Sequence, residues 1–141
     1  MLTLALTLAT NVRARPSLAH TCTATDRQFI QEARLSMTEV GLWGDEYESG
    51  DMRASEVVGD AQQAASSLRR LGPTDPSLEQ TRRLMIGMLT EYSKAVRIHA
   101  RHGDAGPHMY RAYGLANYAH GVLERAQPVL AKRGCDLRTL L

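Results

Sequence analysis

Ser77–Pro107 reads SLEQTRRLMIGMLTEYSKAVRIHARHGDAGP, and this stretch decides the fold. Leu78, Thr81, Met85, Met88, Tyr92, Ala95, Val96, His99 and His102 recur at steps of three and four, the spacing that lines one face of an α-helix. Ser77 with Gln80 three residues on has the form of a capping box, so the helix is expected to start there. It ends in His102-Gly103-Asp104-Ala105-Gly106-Pro107. A turn this short leaves the next helix no path except back along the first, so the pair is antiparallel.

The same pattern extends outward on both sides. Downstream, Met109, Ala112, Leu115, Ala116, Ala119, Val122, Leu123, Ala126, Val129 and Leu130 share one helical face, Pro128 is expected to kink the last turns, and Gly134 closes them. Upstream, Gly72-Pro73-Thr74-Asp75-Pro76 separates this pair from a helix carrying Ala54, Val57, Ala61, Ala64, Ala65, Leu68 and Leu71, begun by Asp51 or Ser55. Before Gly50-Asp51, a first helix from Asp26 to about Tyr47 carries Phe29, Ala33, Met37, Val40, Gly44 and Tyr47, with Thr25 or Asp26 as its cap. Four helices of ~20–27 residues, each about 30–40 Å long, joined by tight turns predict an all-α, antiparallel up-down-up-down four-helix bundle over residues 20–141.

That topology brings the start of the first helix and the end of the fourth to the same end of the bundle. The only two cysteines, Cys22 and Cys135, flank those two positions. A disulfide between them is expected, and it requires an oxidising compartment. Residues 1–19 agree: Leu2 to Ala9 form an apolar run, and Ser17-Leu18-Ala19 supplies the small-x-small pattern of a signal-peptidase site, with His20 as the mature N-terminus. The run is too short for the ~20 residues of a membrane span. If retained, the alternating leucines of residues 1–19 are expected to form a short strand or an N-terminal arm packed on the bundle.

A length of 141 residues suits one domain with a single core. A net charge of +2 gives little long-range steering, and of the 17 basic residues only Lys94 and Lys132 are lysine. Arg69-Arg70 and Arg82-Arg83 read as solvated helix faces, so nucleic acid is not an expected partner. There is no Gly-rich phosphate loop, no G-x-S-x-G elbow, no Glu-x-x-His pair and no C-x-x-C-H haem attachment.

The chemically strongest group is His99, His102 and His108 around the turn between the third and fourth helices. His99 and His102 lie one turn apart on one helix and His108 opens the next, so three imidazoles are a candidate set for zinc, copper or nickel. Asp104, with Asp45, Glu46, Glu48 and Asp51 at the other turn of the same end, offers carboxylates. Trp43, Tyr47, Met52, Met109 and Tyr110 gather there too and form a candidate ligand site for haem or another flat apolar molecule. His20, with its amine, would chelate copper, but at the opposite end some 30 Å away. His120 is expected to be a partly buried structural side chain.

Leu35 and Leu42 face away from the apolar stripe of the first helix, as a homodimer contact or a rest for the N-terminal arm. The function expected from these features is that of a secreted or extracytoplasmic binding or interaction module, not an enzyme, whose partner is a protein or a small ligand. The alternative is transition-metal or haem binding through His99, His102 and His108.

Overall fold

The computed structural model describes residues 21–141; the leader or arm at residues 1–19 and the His20 chelate lie outside the described residues. Four helices follow in order: α1 (Ala24–Ser49), α2 (Ala54–Arg69), α3 (Pro76–Ala100) and α4 (Gly106–Lys132). The described residues are all-α, and the Cys22–Cys135 disulfide joins the two ends of the bundle with Cα atoms 5.3 Å apart. The Cys22 N–H also donates to the Arg133 carbonyl at 2.8 Å. No helix among the described residues is long and apolar enough to cross a membrane.

The helices are not four equal staves. α2 has only 16 residues, shorter than its sequence stripe suggests, because Leu71 lies beyond its end. α3 is the centre of the packing: α4 and α2 run closely along it, α1 lies across α2 and α3, and α1 and α4 approach each other only at the disulfide. Each outer helix therefore buries a narrower stripe than a square bundle demands. Met37, Met109 and Val129, expected in the core, are exposed for this reason, while Phe29, Val57, Leu68, Leu78, Leu89 and Leu130 are fully enclosed. Leu137, beyond the disulfide, folds back into the same core.

The caps differ from expectation in an instructive way. α1 begins two residues early: Thr23 is the cap, its hydroxyl accepting from the Asp26 N–H at 3.1 Å while Asp26 accepts from the Thr23 N–H at 3.0 Å. α3 is capped by Asp75, not Ser77, because Pro76 already has the backbone angle of a first helical residue and leaves the preceding side chain to accept from Ser77 and Leu78. α2 starts after Arg53, whose N–H donates to Glu56 at 2.7 Å, and neither Asp51 nor Ser55 caps it. Pro128 lies inside α4, which runs on to Lys132.

Candidate functional site

The histidines sit at the α3–α4 turn, but the turn separates them. His102 has φ +59°, the left-handed conformation that ends a helix and is usually given to glycine. Its N–H donates to the His99 carbonyl and that of Gly103 to Ile98, closing α3. A residue in that conformation has left the helix, so the one-turn relationship of His99 and His102 is lost and His102 is thrown into solvent. His99 Nδ1 instead lies 2.8 Å from the Tyr47 hydroxyl, with the two rings edge to face. His108 Nδ1 lies 2.7 Å from Glu91.

Glu91 is the better-defined feature. The Lys94 ammonium and then the His108 ring hydrogen-bond to it and lower its pKa to about 2, and Arg111 stands at 3.7 Å. A carboxylate–imidazole pair is the form of a general base, but its further neighbours are cations, and no hydroxyl hydrogen-bonds His108 among the described residues.

Among the described residues, the one group of three or more His, Cys, Asp or Glu side chains within ligand distance of one another is Cys22, Asp26 and Cys135. His99, His102 and His108 are not gathered in this way. In the Cys22–Asp26–Cys135 group the sulfurs are bonded to each other, which leaves no thiolate to ligate a metal. The expected aromatic clasp is divided as well: Trp43 is core, Tyr47 is half-buried on His99, Met109 is exposed, and Tyr110 is 82% exposed. His120 is exposed and pairs with Glu124 at 3.3 Å.

The opposite end holds a network that the sequence reading did not find. The buried Asp26 carboxylate accepts from the Thr74 N–H at 2.6 Å, the Thr74 hydroxyl at 2.9 Å and the Asp75 N–H at 3.1 Å, besides Thr23. Burial pushes its pKa up, but these hydrogen bonds outweigh burial and hold it below the ordinary carboxylate value. Asp75 in turn pairs with Arg133 at 2.9 Å. The start of α1, the loop before α3 and the end of α4 are thus tied together beside the disulfide. The only sequence sign was Asp26 three residues after Thr23, the second half of a capping box. A 480 Å³ depression there is lined by Cys22, Asp26, Thr74, Asp75 and Arg133. Every acid in it is already hydrogen-bonded and its one cation is paired, so its polar groups are structural.

Exposed large side chains concentrate elsewhere. Tyr110, Tyr113 and Tyr118, three of the five tyrosines, are 82%, 69% and 54% exposed along α4. With 100° per residue they span about 140° of one helix face, centred near Gly114, Asn117 and Gly121. A Cβ added at Gly114 would meet nothing within 4 Å, so this face is open. Compared with known protein families, curated proteins and solved structures, the chain matches none.

Proposed function

We propose that this protein is an exported binding module that works through the tyrosine face of α4, with a second copy of the chain as occupant. The observation that carries the reading is the exposure of Tyr110, Tyr113 and Tyr118 on one face. Tyrosines bring large apolar area at low entropic cost and are enriched where proteins meet. The face is also self-complementary. Two α4 helices laid antiparallel about a two-fold axis at Asn117 place Tyr113 of each over Gly121 of the other, where the Arg125 guanidinium lies 3.4 Å from the position of a Cβ and must turn aside or stack on the ring, and Tyr110 beside Glu124 of the other. An isologous contact needs this match of knob to gap. Leu35 and Leu42 are exposed as expected, yet they stand two turns apart on α1 and make a thinner surface. The buried disulfide and the signal-like residues 1–19 support export.

Sedimentation velocity on the full chain tests the pairing. A concentration-dependent dimer is expected, converted to monomer by Tyr113→Asp or Gly121→Arg but not by Leu42→Asp. A wild-type chain that stays monomeric, or a dimer insensitive to both α4 changes, overturns the assignment of this face. Export is tested by N-terminal sequencing of native protein, which should begin at or near His20; intact Met1 overturns it.

A further inference from the structure

Away from the α4 face, α2 and α3 enclose a groove of about 260 Å³ lined by Ala61, Gln62, Ala65, Arg69, Leu89, Thr90, Ser93, Lys94 and Arg97. Three of these are cations and none is an acid. In a chain whose net charge is only +2, that is a local concentration of positive charge.

The convergence follows from helix geometry. Long side chains lean toward the N-terminus of their own helix. α2 and α3 run antiparallel, so Arg69 at the end of α2 and Arg97 in the last turn of α3 lean toward the same stretch from opposite ends. The alanines of α2 and Leu89 leave a shallow apolar floor between them. Neither guanidinium has a hydrogen bond or ion pair among the described residues, whereas Arg70, Arg82, Arg83, Arg133 and Arg138 all have partners. Lys94 reaches Glu91 at 2.7 Å and its charge is spent on that carboxylate, so the unpaired charge of the groove is that of Arg69 and Arg97. Thr90 and Ser93 donate their hydroxyls to backbone carbonyls. The Gln62 amide makes no hydrogen bond among the described residues and is free to turn toward a bound molecule.

We infer that this groove binds a small dianion, a phosphate monoester or a dicarboxylate with a short carbon body, held between the guanidiniums of Arg69 and Arg97. Two guanidinium forks on one groove match the paired oxygens of these groups, and arginine suits them better than a point-charge lysine. The volume sets the size: it lies at or below the small end of ordinary ligand pockets, so a nucleotide or haem is too large.

The test is a titration of the full chain, at fixed physiological salt, with glycerol 3-phosphate and with succinate, read by amide shifts of Gln62, Ala65 and Thr90. Saturable shifts are expected with at least one probe, and the tighter of the two identifies the oxyanion. Arg69→Gln and Arg97→Gln should each weaken binding about ten-fold, the loss of a charged hydrogen bond. Arg34→Gln, at an exposed arginine on α1, should leave it unchanged. All three positions are exposed, and the wild-type titration stands without them. Absence of saturation with both probes overturns the site, and so does an equal loss in Arg34→Gln, which would mean general charge attraction.

Discussion

Asp26 and Thr74, 48 residues apart, are joined twice: one carboxylate takes both the backbone N–H and the hydroxyl of the threonine. That pair fixes the loop between α2 and α3 to the first turn of α1. Replacing Asp26 by Ala takes the acceptor from three backbone N–H groups, of Thr23, Thr74 and Asp75, and from the Thr74 hydroxyl, which keeps Thr23 at 3.2 Å, and should cost about 2–4 kcal/mol in urea unfolding. A double-mutant cycle with Thr74→Val should show a coupling of ~1 kcal/mol or more; additive losses would mean that the two side chains act independently.

Stability should fall in acid, and the window follows from which carboxylates are depressed. Glu79, held by Arg82 and then Arg83 despite partial burial, is lowered from 4.5 to about 2, and Asp26 is also lowered. Between the folded and unfolded values the unfolded chain binds more protons, so stability rises with pH there and is fully present above it. Unfolding free energy should therefore decline from pH 4.5 toward 2. Glu79→Gln should flatten part of that slope, and an unchanged slope would remove Glu79 from the account.

The disulfide gives a third expectation. It closes a separation of 113 residues, and both sulfurs are buried. Cys22→Ser with Cys135→Ser should lower stability by about 2–5 kcal/mol. Unreduced peptide mapping should recover Cys22 linked to Cys135, and free thiols in protein from an oxidising compartment would contradict the pairing.

The fold was legible because apolar spacing reports it directly. Val57, Ala61, Leu68, Leu78, Met85, Met88, Leu89 and Leu123 are core, and all but Leu89 stood on the expected stripes. The error at Met37, Met109 and Val129 has one cause, since a stripe says how a helix is oriented but not how far its neighbours extend. The site was less legible. Spacing placed His99 and His102 on one face, but a left-handed backbone at His102 cannot be read from a histidine when Gly103 next to it is the usual residue for that role. The groove between Arg69 and Arg97 joins residues from two helices, and neither helix alone marks it.

His102 itself offers a stability test. A non-glycine residue at φ +59° pays a steric cost that glycine does not. His102→Gly should stabilise the protein by up to about 1 kcal/mol in thermal unfolding, offset in part by the greater freedom of glycine in the unfolded chain. His102→Ala keeps the cost and should not stabilise.

The metal reading of the turn depends on the same backbone. His99 and His108 each use one ring nitrogen on a protein partner, Tyr47 and Glu91, and His102 points into solvent from a different conformation. His99 and His108 keep Nε2 open to a ligand while Nδ1 stays on Tyr47 and Glu91, but for His102 to join them the end of α3 would have to rewind. Zinc, copper and nickel should therefore bind the wild type no more tightly than a His99→Ala, His102→Ala, His108→Ala variant, as measured by calorimetric titration. A wild-type affinity ten-fold above that of the triple variant would show that the turn does rearrange around a metal.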